Sequence, residues 1–411
     1  MRKKSTLILA LLAVLSLLAA ACGSDVTDVA SDAADAAGDV ADAAEDVVDD
    51  AMEDEEHSDD EDHSDDEEAM EDDGAMEDEE AMADSDTTVG LVYDIGGRGD
   101  LSFNDSAAAG LEKANADLGV AFTEASPNED GSNRAELLQL AADGNPIVIG
   151  VGFLFEGDAA AVAAENPDTN FAVIDSSMLD FSQDPPAPYG DNVAGLVFAE
   201  EQGSYLVGVA AALKTETNKL GFIGGVCCYG GIEPFEAGFR AGALSVNPDI
   251  EIVDQYITDA PDFDGFNQPD RAQVIATTMY EDGADIVYHA AGGAGNGMFQ
   301  AAKDYSEDNG TKVWGIGVDS DQFNTVDASL QEYVLTSMLK RVDVAVFEVL
   351  TAQASGAFAA GPNTYDLSVD GVGYSTSGGF VDDIVDDLEA AKAAIIAGDV
   401  TVSRDPADHG G

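Results

Sequence analysis

The sequence predicts an α/β protein whose parallel sheets are divided between two lobes. From Thr88 onward, short apolar segments alternate with longer segments in which apolar residues recur at helical spacing. This alternation is typical of βαβ units with a parallel sheet. The alternating part is some 320 residues long, which exceeds what one hydrophobic core usually supports. Two lobes, each with its own sheet, are therefore expected.

The predicted elements follow this alternation along the chain. Strands are predicted where a short apolar run ends at a polar or glycine-rich turn, at 89–94, 120–123, 146–150, 171–175, 219–224, 251–257, 285–288, 313–318 and 333–336. Helices are predicted where the apolar spacing is helical, such as 104–118, 133–143, 202–213, 234–246, 270–282, 296–307 and 342–354. Polar and aromatic residues fall at strand ends in both halves, so a ligand site is expected in the cleft between the lobes.

The N-terminus has the features of a bacterial lipoprotein signal. Three basic residues precede an apolar segment, 6–18, that is too short for a permanent membrane helix. Small residues then lead to Cys22-Gly23, which resembles the lipobox of bacterial lipoproteins. A signal peptide over 1–21 and acylation of Cys22 are predicted, which would anchor the protein at the extracytoplasmic face of the cell membrane. An ordinary secretory signal with an accidental cysteine is the alternative.

The segment that follows Cys22 is an acidic spacer. Residues 24–87 contain 31 Asp and Glu and no Lys or Arg. Such a composition buries too little apolar surface to offset the entropy of ordering, so 22–87 is predicted to be a disordered tether. His57 and His63 lie among its acids at no spacing typical of a metal site. We therefore interpret the segment as a solvated spacer and predict no metal.

The folded part is itself strongly acidic. Residues 88–411 carry 52 acidic and 13 basic side chains, a net charge of −39. Such a surface repels nucleic acid and anionic headgroups, and it argues against a phosphorylated ligand. The adjacent Cys227 and Cys228 lack partners at zinc spacing, and the sequence leaves open whether they form a disulfide or two free thiols.

Residues 89–105, VGLVYDIGGRGDLSFND, are the most informative stretch for function. A strand ends at Asp94, a glycine-rich turn follows, and Phe103 and Asn104 open a helix. An aromatic face beside an acid and an amide suits a flat, hydrogen-bonding ligand such as a nucleobase. The alternative interpretation is a strand–turn–helix joint with a capping Asp and a core Phe.

Several further segments occur in the order found in one protein family. They are NFAVID (170–175), QGSYLVGVAAAL (202–213), PFEAGFRAG (234–242), AAGGAGNG (290–297), GIGVD (315–319) and LTSMLKR (335–341). Together with GGRGDLSFND they resemble the basic membrane protein family of lipoproteins, the nucleoside-binding subunits of ABC importers. The resemblance covers essentially all of 88–400.

This resemblance implies a type I periplasmic-binding-protein fold with three hinge crossovers and a ligand in the cleft. It places lobe 1 at about 88–198 and 318–342 and lobe 2 at about 199–317 and 343–400. The implied function is a substrate-binding protein, with no enzymatic activity and no cofactor, that hands nucleosides, purine nucleosides above all, to ABC permease subunits.

The resemblance also implies roles for individual residues. Phe103 and Phe266 would sandwich the base, with Phe263 as a rival for the second position. Asp94, Asn104 and Asp175 would contact the base edge. Asp319 would bind the ribose hydroxyls, and Lys340 would neutralise Asp319 and donate to the sugar. Gly292 and Gly293 would allow close approach of the backbone to the ligand. The chain departs from the family at Gly99-Asp100, Leu101 and Asp105, so the preferred base stays open.

Two other functions remain as alternatives. A receptor of the same fold for a sugar or an autoinducer would use the paired aromatic rings equally well. A nucleoside hydrolase would need a metal cluster or a nucleophile–base pair, and neither is visible. His289 is interpreted as structural, and His409 lies in a tail predicted to be disordered.

Overall fold

A computed structural model describes residues 87–128 and 130–411. The predicted signal peptide, Cys22 and nearly all of the acidic tether lie outside these residues. The strands are, in chain order, β1 (Thr88–Val92), β2 (Ala121–Ala125), β3 (Ile147–Gly150), β4 (Asn170–Ile174), β5 (Leu179–Asp180), β6 (Ala187–Pro188), β7 (Val193–Phe198), β8 (Lys219–Cys227), β9 (Glu251–Asp259), β10 (Ile286–Ala290), β11 (Trp314–Asp319), β12 (Val334–Lys340), β13 (Gly361–Tyr365) and β14 (Val372–Tyr374).

Helices connect most of these strands. They are α1 (Phe103–Leu118), α2 (Arg134–Ala142), α3 (Glu156–Glu165), α4 (Glu200–Lys214), α5 (Glu233–Val246), α6 (Pro269–Glu281), α7 (Asn296–Asn309), α8 (Gln322–Thr325), α9 (Val342–Ala354) and α10 (Val385–Ile396). Short 3-10 helices include Phe153–Phe155, Phe263–Asn267, Gly292–Gly295 and Pro406–His409.

Two six-stranded sheets form the two predicted lobes. The first has the order β13-β7-β4-β3-β1-β2, and all its neighbours are parallel. The second has the order β14-β12-β11-β10-β8-β9 and is parallel except for β14, which runs antiparallel to β12. Central strands such as β3 are buried along their whole length, as expected for sheets covered by helices on both faces. The predicted α/β class is thus confirmed.

The chain passes between the sheets three times. It crosses at Ala199 between β7 and α4, at Arg341 between β12 and α9, and over 366–371 between β13 and β14. These are the three hinge crossovers that the type I fold requires. Lobe 1 therefore holds 88–198 with α9 and β13, and lobe 2 holds 200–340 with β14 and α10.

The predicted lobe boundaries after residue 317 are wrong. We expected 318–342 in lobe 1 and 343–400 in lobe 2, but β11 and β12 belong to the second sheet. Helix α9 instead packs on α1 of lobe 1, where Gly110 leaves room for the backbone of α9. A Cβ on Gly110 would lie 2.4 Å from the Asp343 carbonyl oxygen. The strand–helix rhythm alone does not show which sheet a late element joins.

Several elements escaped the prediction for local reasons. Strand β7 is apolar but continues through Ala199 straight into α4, with no turn to mark its end. Strand β13, GPNTY, is polar and contains Pro362, which is tolerated because it lies at a sheet edge. The tail predicted to be disordered is ordered and includes the Pro406–His409 3-10 helix.

No helix among the described residues is long and apolar enough to cross a membrane.

Candidate functional site

A cavity of about 240 Å³ lies between the lobes, at the carboxyl ends of strands from both sheets. Ligands bind at this edge of open α/β sheets. All eight residues predicted to bind a ligand line it, namely Asp94, Phe103, Asn104, Asp175, Phe266, Gly293, Asp319 and Lys340. The fold thus brings together side chains that are up to 246 positions apart in the sequence, from Asp94 to Lys340. Their roles in binding stay predictions.

Two of the acids occupy matching positions in the two sheets. Asp175 directly follows β4, and Asp319 is the last residue of β11. Strand β4 is the fourth strand of its sheet counted from the β2 edge, and β11 is the fourth strand of the other sheet counted from the β9 edge. Both have a φ of 64°. Asp is among the few residues other than glycine that adopt this left-handed conformation readily. Each lobe therefore ends a strand with a carboxylate that lines the cavity.

Lys340 lies at the centre of the polar wall and is 3% exposed. Its Nζ is 2.7 Å from Asp175 Oδ2 and 2.6 Å from Oδ1, which joins the two lobes by an ion pair. The rings of Phe103, Phe198 and Phe235 lie 5.0, 5.1 and 5.5 Å from the ammonium. Burial lowers the pKa of Lys340, but Asp175, Glu200 and Asp319 outweigh it and raise the pKa above its ordinary value. Lys340 therefore stays charged.

Asp319 has a different partner from the one we expected. Lys340 pairs directly with Asp175, whereas Asp319 Oδ2 accepts a 2.6 Å hydrogen bond from the Ser102 hydroxyl of lobe 1. Burial raises the pKa of Asp319 to about 6, opposed by Lys340 and by Ser102. Among the described residues, none donates a hydrogen bond to Oδ1. This oxygen is available to a ligand.

The Asp94 carboxylate contacts a backbone amide and one arginine. Its Oδ1 accepts from the Ile95 amide at 2.8 Å, and Arg134 Nη2 lies 3.7 Å away. Burial raises the pKa of Asp94 to about 6, although the Ile95 amide and Arg134 lower it. Gly152 is needed here, because a Cβ at this position, with φ +104°, would lie 2.3 Å from Asp94 Oδ2.

Asn104 lines the cavity, but its side-chain amide forms hydrogen bonds with the loop between β1 and α1. Its Oδ1 accepts from the Asp94 amide at 3.0 Å, and its Nδ2 donates to Asp100 Oδ2 at 3.0 Å and the Ile95 carbonyl at 3.3 Å. Asp100 in turn caps α1, accepting from the amides of Asn104 and Asp105 at 2.8 and 3.1 Å. These contacts support a role for Asn104 in holding Asp94 better than direct recognition of a base edge.

The aromatic wall is larger than the sequence predicted. Phe103 and Phe266 both line the cavity, whereas Phe263, the rival of Phe266, does not. Phe153 and Tyr229 also line it and were missed. Both follow strand ends, β3 and β8, and that position was the signal available in the sequence.

A second charged pair, Glu200 and Arg404, was also missed. Arg404 donates to Glu200 Oε2 at 2.9 Å and to Glu201 Oε2 at 2.5 Å, and Glu200 Oε1 lies 3.8 Å from Lys340 Nζ. Burial raises the pKa of Glu200, while Lys340 and Arg404 oppose the rise. Nothing in the local sequence around Arg404 predicts that it reaches the cleft.

The lobes are closed on each other through the loop that precedes α1. Lobe 2 donates four hydrogen bonds to backbone carbonyls of this lobe 1 loop. They run from Asn296 to Asp100 at 2.9 Å, from Gln322 and Thr325 to Leu101 at 3.2 and 3.1 Å, and from Ser320 to Ser102 at 2.9 Å. Together with the Ser102–Asp319 bond they are the contacts of a closed cleft.

Two cysteines adjoin the cavity. Cys227 and Cys228 form a disulfide, which resolves the alternative that the sequence left open. With Asp259 they are the one group of metal-ligand type among the described residues, but their thiols are used in the disulfide. His289 lies outside the cavity wall, fully buried, with Nε2 2.8 Å from Gln322 Oε1.

Comparison with known proteins identifies the family. Residues 87–405 match the model of the Bmp family, described as ABC transporter substrate-binding protein PnrA-like. This protein belongs to the Bmp family. It is 37% identical over 343 residues to the CD4+ T-cell-stimulating antigen of Listeria innocua serovar 6a, covering 78% of this chain and 89% of the relative. It is 34% identical over 330 residues to the ABC transporter nucleoside-binding protein BmpA of Lactococcus lactis subsp. cremoris, covering 77% and 89%.

A solved structure supports the same conclusion about the Bmp protein. An ABC transporter solute-binding protein from Aeropyrum pernix K1 superposes with a TM-score of 0.65 at 26% identity, covering 79% of this chain and 95% of that one. The resemblance predicted from the sequence is thus confirmed. The Bmp protein is a substrate-binding protein of an ABC transporter, a class that acts outside the cytoplasm.

Proposed function

We propose that this Bmp protein binds purine nucleosides in the interlobe cavity and delivers them to the permease subunits of an ABC importer. The observation that carries the proposal is the pair of buried carboxylates, Asp94 and Asp319, in a cavity whose wall is rich in aromatic rings. In this arrangement the base stacks on Phe103 and Phe266. Asp94 accepts hydrogen bonds from the base edge, and Asp319 accepts them from the ribose.

The chemistry of the two carboxylates supports this orientation. An ionised carboxylate only accepts hydrogen bonds, so Asp94 favours a base edge with a ring N–H, which the six-membered rings of guanine and hypoxanthine carry and that of adenine does not. Vicinal hydroxyls match an acceptor with a free oxygen, and Asp319 Oδ1 is such an acceptor. The ammonium of Lys340, which is paired with Asp175, supplies a hydrogen-bond donor for the same hydroxyls. The name of the Lactococcus relative, a nucleoside-binding protein, agrees with this assignment.

The direct test is calorimetric titration of the full-length chain. Guanosine, inosine, adenosine, cytidine, uridine, ribose and galactose are titrated separately. We expect binding of purine nucleosides, with guanosine and inosine tightest, and no binding of the sugars. A sugar that binds while every nucleoside fails would overturn the proposal in favour of a sugar receptor of the same fold. Release of free base from inosine on long incubation would instead indicate a hydrolase.

Asp319→Asn tests the ribose contact. Hydrogen bonds to a charged acceptor contribute ~1.5–3 kcal/mol, so we expect the Kd of guanosine to rise roughly tenfold or more. The affinity for free guanine should change little. Asp370→Asn is the matched control, because Asp370 is an exposed aspartate that also has positive φ, 52°. An equal loss of affinity for nucleoside and free base would contradict the ribose assignment.

Phe103→Ala tests the stacking contact. Stacking of a base on an aromatic ring is worth ~1–3 kcal/mol, so the Kd of every purine nucleoside should rise about 5- to 150-fold. Phe181→Ala serves as the control, because Phe181 is 71% exposed on the β5–β6 ribbon. Unchanged nucleoside affinity in Phe103→Ala would mean that Phe103 is only a core residue.

We also propose that the protein is anchored to the extracytoplasmic face of the cell membrane by lipid on Cys22. The lipobox-like sequence before Cys22 supports this. Metabolic labelling with an alkyne-tagged palmitate should mark the wild-type chain and the double variant Cys227→Ser/Cys228→Ser, but not Cys22→Ser. Labelling that persists in Cys22→Ser would contradict the anchor.

A further inference from the structure

The Cys227–Cys228 disulfide lies at the root of a loop that forms part of the cavity. Cys227 is the last residue of β8, and Tyr229, Gly230, Gly231 and Ile232 all line the cavity before α5 begins. The structure of the described residues therefore places a covalent constraint one residue before a wall of the ligand site. Cys228 is exposed, so the disulfide is accessible to a reductant in solution.

Tyr229 contacts the opposite lobe. Its ring stacks on Phe153 of lobe 1, with centroids 4.6 Å apart and planes 23° apart. Phe263 of lobe 2 completes the group, 5.6 Å from Phe153 and 5.5 Å from Tyr229 in edge-on geometry. We name these three residues the interlobe clasp. Because Phe153 and Tyr229 belong to different lobes, their stacking forms only when the cleft is closed.

Hydrogen bonds hold the loop on either side of Tyr229, and on the far side the Ile232 amide donates to Glu233 Oε2 at 3.2 Å. The Cys228 amide donates to Glu233 Oε1 at 2.6 Å, and the Cys227 carbonyl accepts from the Ala260 amide at 3.1 Å. Gly230, with φ +86°, and Gly231 follow Tyr229, and glycine loses more conformational freedom on ordering than any other residue. A ring between adjacent cysteines removes part of that freedom immediately before Tyr229.

We propose that the Cys227–Cys228 disulfide positions Tyr229 in the interlobe clasp and that its reduction weakens ligand binding by loosening the closed cleft. The proposal rests on the proposed function only in assigning the ligand to this cavity. The chemistry is ordinary exchange: a dithiol donates two electrons and two protons, Cys227 and Cys228 become thiols, and the dithiol closes to its own disulfide. Cys227, Cys228 and Tyr229 are thus positioning residues of the site.

The test compares oxidised and reduced protein in the full-length chain carrying Cys22→Ser. The reductant is dithiothreitol, and iodoacetamide labelling read by mass spectrometry verifies that both cysteines are free thiols. We expect the Kd of guanosine to rise at least fivefold on reduction, with most of the change in the dissociation rate measured by stopped flow. Full alkylation with an unchanged Kd would overturn the proposal.

Two tyrosine variants separate positioning from a general loss of structure. Tyr229→Phe keeps the stacked ring and should stay sensitive to reduction. Tyr229→Ala lacks the clasp, so it should bind as weakly as reduced wild type and lose nothing further on reduction. An equal additional loss in Tyr229→Ala would mean that the disulfide acts elsewhere, and would overturn the proposal.

A readout without ligand keeps this proposal separate from the nucleoside assignment. If no nucleoside binds, the proposed function fails, but the clasp is still tested by hydrogen–deuterium exchange of the peptide that contains 152–156. Exchange there should rise on reduction in wild type and in Tyr229→Phe, and be high in both redox states of Tyr229→Ala. Exchange that is insensitive to reduction in wild type would overturn the clasp itself.

Discussion

The backbone at Asp175 and Asp319 explains how two carboxylates reach one cavity. Each residue turns out of a strand with φ 64° and places its carboxylate in the cavity wall, where the Asp175 side chain is 21% exposed and Asp319 is 7% exposed. Such burial is unfavourable for an ionised carboxylate. Asp175 offsets the cost through Lys340, whereas Asp319 has only the Ser102 hydroxyl as a direct partner. Asp319 is therefore the less compensated of the two carboxylates.

Asp319 should consequently lower stability at neutral pH. Its pKa of about 6 in the folded protein lies above the ordinary value of 3.8, so between these values the folded state binds more protons than the unfolded chain. The free energy of unfolding must therefore fall as the pH rises from about 4 to about 6. Asp319→Asn removes this effect while the backbone conformation stays accessible to Asn.

We expect Asp319→Asn to be more stable than wild type at pH 8, by on the order of 2 kcal/mol, with most of this difference gone at pH 4. Urea unfolding at pH 4, 6 and 8 measures the difference, with Asp370→Asn as the control, because the exposed ion pair of Asp370 with Lys392 contributes little to stability. A variant that is less stable than wild type at pH 8 would contradict the assignment of a buried, poorly compensated charge.

At the scale of elements, the strand ends were predictable and the late connections were not. Asp94 and Asp175 follow apolar runs of the first sheet and Asp319 ends one of the second, so the pattern places each at the carboxyl edge of its own sheet. The family resemblance assigned the three to one site. The choice of Lys340's partner depends on distances of a few ångströms across the cleft, which no spacing in the sequence encodes. Strand β13 and the segment around Arg404 were not predicted, because they have no apolar periodicity. Tertiary contacts hold them in place instead.

The C-terminal segment around Arg404 links the two sides of the Ala199 crossover. Arg404 bonds Glu200 and Glu201 at the start of α4, and its Nη1 lies 3.4 Å from the Phe198 carbonyl at the end of β7. Both ends of the Ala199 crossover are thereby tied to one guanidinium. Because Glu200 lies between Arg404 and Lys340, a change at residue 404 should reach the ligand site.

Arg404→Gln is expected to weaken both stability and binding. Glu200 then keeps only Lys340, which moves toward it from Asp175, so the Kd of guanosine should rise several-fold. The free energy of unfolding should fall by about 1–2 kcal/mol, less than for a fully buried pair, since the arginine side chain is 48% exposed.

Arg98→Gln is the matched control for Arg404→Gln. Arg98 also bonds two glutamates, Glu112 and Glu124, and its side chain is 44% exposed, but it does not line the cavity. Calorimetry and urea unfolding of the two variants give the comparison. A similar loss of guanosine affinity in Arg98→Gln would mean that Arg404 acts only through general stability.

At the scale of the whole molecule, the two lobes share one winding order and a strongly negative surface. Residues 88–411 carry a net charge of −39, and some of these acids lie close together around Lys340 and Arg404. Self-repulsion of this size disfavours the compact state. Salt reduces the repulsion, because the Debye length falls from about 30 Å at 0.01 M to about 3 Å at 1 M ionic strength.

The melting temperature of the full-length chain should therefore rise with sodium chloride at pH 7.5, and the rise should nearly vanish near pH 4. The chain has a pI of about 4.1, so at that pH protonation has already removed most of the net repulsion that salt would screen. Differential scanning calorimetry from 0.01 to 1 M salt at both pH values measures the two slopes. Equal slopes would mean that salt acts through hydrophobic burial instead of charge, because the strengthening of apolar contacts by salt does not depend on the net charge of the protein.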